Sequence, residues 1–360
     1  MNEDKINCCI IGMAESPDST TSKCNISIPK DIVSEHMGYT FSDDPTRYVK
    51  IFFVALISVM IIMTNCLNIC IVSKTKQLPR ITRICFLNMS CSDLLVGLVS
   101  CFPCIVVVAV GEWPYGPVWC QIAGIMHGSS VTISIWSLSL VSIDRYLAIK
   151  KPLRYRSLLT VKRTYIIVFC LWVVALATFF LPLPTKDSFL YYQFSQEEMI
   201  CGLYWEYKWF CVVTAVYIPV LSGTILIFTN VSVMRKVISV ARRNSHQSKN
   251  YSAARTNDIK AVKLLIVTST IYFIVWGPYV LEVVSISLFD ITTIPPSVKF
   301  TTMWLANSNS FTNVFVYSFM YKSFRERVKL LAYPLLPCSI NRQQPDSPDR
   351  TEQIQLSQYD

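Results

Sequence analysis

Asp144, Arg145 and Tyr146 set a carboxylate, a guanidinium and a phenol side by side, at the end of an apolar stretch that begins near Cys120. As a helix rising 1.5 Å per residue, the 25 steps from Cys120 to Arg145 would span roughly 37 Å. A bilayer's hydrocarbon core is about 30 Å thick. Cys120 would then stand at one membrane surface, where disulfides persist, and Arg145 at the other, within reach of a cytosolic partner. A further acid, Asp93, lies inside a second apolar stretch. A carboxylate at membrane depth is costly and marks a functional site with polar or cationic partners. The chain's three histidines, His36, His127 and His246, are widely spread, so no nucleophile–base pair or metal cluster of an enzyme emerges.

The elements that must position these groups follow from composition. Of 360 residues, 52% are hydrophobic and 16% charged, and the mean hydropathy is +0.41. A soluble domain averages about 25% charged residues, so the chain reads as a membrane protein. Apolar runs near membrane length fall at 51–73, 84–111, 117–143, 165–185, 209–234, 264–281 and 300–320, with Asp93 their one charged residue. Backbone polar groups in lipid must be satisfied within their own segment, so the runs are predicted to be helices. The expected fold is all-α: a seven-transmembrane helix bundle. Loop 74–83 carries four basic residues, loop 144–164 seven and loop 235–263 eight, whereas the opposite loops hold only Lys186, Lys208 and Lys299. This bias predicts an extracellular N-terminus and a cytoplasmic C-terminus. It also accounts for the net charge of +10 through anionic lipid, and gives no support to nucleic-acid binding.

Residues 1–47 read as a polar outer tail with an acceptor sequon at Asn25, residues 48–333 as the membrane domain, and residues 334–360 as a disordered inner tail. No cleaved signal peptide is evident. Phe324, Val328 and Leu331 share a helical face with basic residues between them, predicting a short amphipathic eighth helix at the interface. Asp258 lies 20 residues before Pro278, roughly 30 Å along a helix and level with Arg145. Either an Arg145–Asp258 ion pair or a solvated aspartate in a basic loop fits that position.

One set of landmarks falls in each run, in order: Asn65, Asp93, Cys120 with Asp144-Arg145-Tyr146, Trp172, Pro219, Trp276-Gly277-Pro278, and Asn313 with Tyr317. Together they resemble the rhodopsin-like (class A) G protein-coupled receptors, in their amine-receptor-like branch with its orphan members, over roughly residues 48–333. The resemblance implies a plasma-membrane receptor, not an enzyme, that turns an extracellular stimulus into heterotrimeric G protein activation. Its further implied partners are arrestin, receptor kinases, an extracellular ligand of unknown identity and the lipid bilayer. It pairs Cys120 with Cys201 and gives Asp144, Arg145, Tyr146 and Asp258 to G protein coupling and its lock. Trp276, Pro278, Asn313 and Tyr317 become the switch. No cofactor is implied beyond an allosteric sodium ion at Asp93, Ser134, Asn309 and Asn313, with Ser310 beside them. Ile227, Tyr272 and Val314 depart from the usual tyrosine, phenylalanine and proline. A secondary transporter is the alternative, but it would show paired repeats with broken helices, and none is found.

Two expectations concern the outer mouth. Outer loop 186–208 is rich in aromatic and aliphatic residues. It either folds into the bundle as a lid, and even a built-in agonist, or lies as an aromatic belt on the lipid interface. The pocket is expected at His127, Trp276, Tyr279, Glu282, Trp304 and Asn307. His127 stands where amine receptors carry an aspartate. A neutral imidazole supplies no fixed counter-charge, so neutral or weakly polar ligands are expected and biogenic amines are not.

Overall fold

A computed structural model describes residues 45–75, 78–180, 192–203, 212–243, 252–289, 291 and 293–320. Their long helices are α1 (Arg47–Lys74), α2 (Arg80–Val110), α3 (Gly116–Lys150), α5 (Val161–Phe180), α6 (Val212–Tyr217 continued by Ile218–Arg243), α7 (Ser252–Phe289) and α8 (Pro296–Met320). A short helix, α4 (Pro152–Leu158), links α3 to α5. Strands β1 (Tyr192–Ser195) and β2 (Ile200–Leu203) form an antiparallel hairpin. Among the described residues, six helices are long and apolar enough to cross a membrane.

Two of the long helices change pitch near prolines. In α2, Val96–Cys101 is a π-helical turn just before Pro103. Phe102 N–H reaches back to the Gly97 carbonyl at 2.8 Å, a five-residue step that absorbs the donor a proline cannot supply. In α6, the π turn Val212–Tyr217 precedes Pro219 in the same way. Pro278 lies inside α7.

The packing explains which helix carries the site. α3 touches α2, α4, α5, α6, α7 and both strands, while α1 packs on α2 and α8, and α7 on α6 and α8. α3 is therefore the central post. Its apolar core partners include Phe86 and Met89 of α2, Leu226 of α6, and Tyr272, Val275 and Trp276 of α7. Large apolar side chains such as Phe52, Met63, Phe169, Phe228 and Ile274 face outward. In water such a surface would be a liability; against lipid tails it costs nothing.

Candidate functional site

The hairpin closes the end of the bundle where α3 begins. Cys201 on β2 is disulfide-bonded to Cys120 on α3, with Cα atoms 5.5 Å apart. Gln121, next along α3, serves as a third strand for β1. Its Nε2 donates to the Tyr192 carbonyl at 2.6 Å and its Oε1 accepts from Tyr192 N–H at 3.0 Å. The Tyr192 side chain turns inward, is 3% exposed, and donates from its hydroxyl to the Phe179 carbonyl at 2.8 Å. It fits because α3 presents Gly124 and Gly128 there: a β-carbon at either would collide with the Tyr192 or the Phe179 ring. At the far end, Trp304 Nε1 of α8 donates to the Glu198 carbonyl at 3.0 Å, and Lys299 pairs with Glu197. Met199 takes a left-handed turn with φ of 57°. That conformation is unfavourable for a side chain, and here burial at 3% exposure and its N–H bond to the Ser195 carbonyl fix it. Of the two expectations for this loop, the described residues 192–203 pack into the mouth; Tyr204 and Trp205 lie outside the described residues.

Beneath the hairpin lies a cavity of about 110 Å³, lined by His127, Thr132, Tyr192, Glu198, Thr214, Trp276, Tyr279 and Asn307 among others. His127, Trp276, Tyr279 and Asn307 of the expected pocket meet here. Trp304 and Glu282 do not line it: Trp304 holds the hairpin, and the Glu282 carboxylate accepts from the Thr302 hydroxyl. His127 Nδ1, Trp276 Nε1 and Asn307 Nδ2 are buried without a hydrogen-bond partner among the described residues. Sequence reasoning missed Glu198. Burial first, then the nearby Glu282, push its carboxyl up to about 8, against the pull of Lys299.

Level with the middle of α3, Asp93 of α2 is wholly buried. Ser134, Ser310 and Asn313 surround its carboxylate, whose two oxygens accept no hydrogen bond of regular geometry among the described residues. Asn65 ties this level together by donating to the Ser310 carbonyl at 2.9 Å, and its own carbonyl oxygen is unpartnered among the described residues. Hard oxygens left open around a buried carboxylate fit a small cation. Ser310 stands beside the carboxylate, and Asn309 precedes it on α8 as a buried residue. Nearby, Trp172 donates to Asn88 at 2.8 Å and Asn88 to Ser137 at 2.7 Å, joining α5, α2 and α3.

At the opposite end of the bundle, Arg145 holds the Asp144 carboxylate at 2.6 Å. Thr82 of α2 donates to the same oxygen at 2.9 Å and accepts from Arg145. Tyr155 of α4 donates to the other oxygen at 2.6 Å; burial and Asp144 hold its phenol well above the usual range. Asp144 is fully buried yet saturated with donors, the condition under which a buried carboxylate is tolerated. Sequence reasoning had not singled out Thr82 or Tyr155. Tyr146 stacks obliquely on Phe228 of α6 at 5.8 Å. Asp258 and Tyr317 lie in α7 and α8, but their side chains are outside the described set, as are Asn25, Cys8, Cys9, Cys24, Cys338 and the eighth helix expected after Tyr317.

Comparisons place this architecture. The profile for "7 transmembrane receptor (rhodopsin family)" matches residues 64–317. The chain is 28% identical to trace amine-associated receptor 1 of Macaca mulatta, over 78% of this chain and 86% of that protein. It is 30% identical to trace amine-associated receptor 5 of Rattus norvegicus, over 79% and 85%, and 27% identical to the histamine H2 receptor of Homo sapiens, over 77% and 78%. Squid rhodopsin shares the fold, with a TM-score of 0.68 at 19% identity over 83% of this chain and 89% of that one. A membrane-spanning bundle centred on α3, with these landmarks on each helix, belongs to the rhodopsin family of seven-transmembrane receptors, a multi-pass membrane class that signals through G proteins.

Proposed function

We propose that this receptor reads an extracellular stimulus in the cavity under the hairpin and relays it along α3 to a heterotrimeric G protein at Arg145. The observation that supports this is the course of one helix. α3 lines the cavity at His127, passes Asp93 at Ser134 and ends in the Asp144–Arg145 pair. An agonist favours a state in which α7 moves outward at its inner end and Arg145 leaves Asp144, a population shift between two packings. The hairpin and N-terminus face outside and the C-terminus the cytoplasm of a plasma-membrane protein, in line with the basic loops. Arrestin and receptor kinases act on the same inner face, and a sodium ion at Asp93 favours the inactive packing. The test is nucleotide exchange on a purified heterotrimer. Arg145→Ala abolishes it while surface expression persists; uptake into vesicles with no exchange would instead support a transporter.

The ligand is compact and neutral. Among the described residues its cavity carries no lysine or arginine, its one acid is Glu198 at the roof, and its deeper polar atoms are those of His127, Trp276 and Asn307. Relatives named for trace amines and histamine notwithstanding, dopamine, serotonin and histamine are not high-affinity agonists here. A specific observation favours a second source of stimulus: Tyr192 already occupies the upper cavity against Gly124. The hairpin then acts in part as a built-in agonist, and Tyr192→Ala lowers basal exchange. Unchanged basal exchange in that variant leaves the hairpin as a lid alone.

A further inference from the structure

Below the cavity, α6 and α7 are joined by a bond that the usual phenylalanine at this place would not make. Tyr272 lies one turn inward of Trp276 and is 1% exposed. Its hydroxyl donates to the Pro219 carbonyl on α6 at 2.7 Å. The ring packs obliquely on Trp276 at 6.5 Å, edge-on to Phe273 at 5.4 Å, and within a cluster that includes Ile135, Leu226 and Val275. Those neighbours are apolar, so the Pro219 carbonyl is what satisfies the phenol in this packing. A buried tyrosine hydroxyl without a partner is penalised. Any displacement that separates α7 from α6 at this level therefore has to orphan the hydroxyl or re-bond it.

The acceptor's position adds to this. Pro219 follows directly on the π turn Val212–Tyr217, where the backbone leaves regular pitch, and it lines the cavity together with Trp276. The latch is thus held by two residues that flank the ligand space: Pro219 itself, and Trp276, on which Tyr272 packs. A ligand that shifts either one acts on the bond without touching Tyr272. A second polar tie, Asn230 Nδ2 to Ser269 Oγ at 2.6 Å, joins the same helices further inward, so among the described residues the seam between α6 and α7 is bonded at more than one level. Only the outer level adjoins the cavity.

We propose that the Tyr272–Pro219 hydrogen bond is a latch that holds α7 against α6 beneath the cavity and sets the threshold of the receptor's switch. This rests on the reading of α7 as the helix that moves. Removing one neutral buried hydrogen bond shifts a two-state population about five- to tenfold, enough to turn a quiet receptor into a basally active one.

Tyr272→Phe is the test, because it keeps the ring and its packing and deletes only the oxygen. Spin labels at the inner ends of α6 and α7 report the separation in purified receptor without any G protein. The open population rises about five- to tenfold in Tyr272→Phe, and Ser269→Ala, which loosens the seam without the latch, serves as the comparison. Basal nucleotide exchange rises in the same variant and is abolished by adding Arg145→Ala. An unchanged or narrower label separation in a variant that expresses and melts like wild type overturns the latch. An increased separation with no exchange in any form overturns the receptor reading instead, so the two failures are told apart.

Discussion

The ring of Tyr192 rests directly on the backbone of Gly124: a β-carbon at 124 would fall 2.2 Å from Tyr192 Cδ1. A hairpin more than 60 residues further along the chain is thus seated on the third helix by the absence of a side chain. Gly124→Ala is expected to separate helix stability from lid seating. Alanine raises helix propensity by about 1 kcal/mol, whereas overpacking a close contact costs about 1–3 kcal/mol. Surface expression should hold while a fluorophore on the exposed turn residue Gln196 reports a lifted hairpin. An unchanged signal would show that Tyr192 finds another seat at no cost.

Cys120 and Cys201, 81 residues apart, close a loop that contains α4, α5 and β1. In the chain-entropy account such closure stabilises by about 4 kcal/mol. Serine at either position should give the same loss of trafficking, and the double variant should be no worse than either single one, since each change breaks the same bond. Additive losses would mean that each cysteine has a separate role.

Much of this architecture could be read from the chain, for a physical reason. Apolar runs of membrane length are forced into helices by lipid, and Asp93, Cys120 and Arg145 are conspicuous against an apolar background. What could not be read depends on contacts far apart in sequence. Gln121 serves Tyr192, Tyr155 serves Asp144 and Trp304 serves the Glu198 backbone, and none of these pairs has a local signature. The two glycines at 124 and 128 were the one visible hint of the Tyr192 seat. Trp304 and Glu282 were expected in the pocket, Glu282 as the acid nearest to it, one turn beyond Pro278. The hairpin and Thr302 engage them before any ligand can.

Asp93 offers a prediction by ion exchange. Wild-type receptor should melt a few degrees higher in sodium chloride than in choline chloride at equal ionic strength, because an ion that binds only the folded state adds its binding free energy to stability. Asp93→Asn should melt alike in both salts, having lost the charge but kept the shape. Equal melting of the wild type in the two salts would remove the sodium site.

Glu198 is expected to make seating of the hairpin depend on pH. Its carboxyl is buried under the hairpin, where burial and the neighbouring Glu282 raise it from 4.5 to about 8. A lifted hairpin would expose it to water and return it toward the lower value. Closure therefore binds a proton through the window from about 4.5 to about 8, so it is fully favoured below that window and weakens as pH rises through it. The open-to-closed ratio can change at most about tenfold per pH unit for one proton. The groups around it are Glu197 on the hairpin, Glu282 on α7 and Lys299 on α8, with His127 across the cavity on α3. The informative quantity is therefore the difference from Glu198→Gln, which keeps the shape and cannot ionise. A fluorophore on Gln196 should report a seated hairpin at pH 6 and a lifted one at pH 8.5 in the wild type, and no such change in Glu198→Gln. Parallel titrations in the two proteins would assign the response to a neighbour and leave Glu198 protonated throughout.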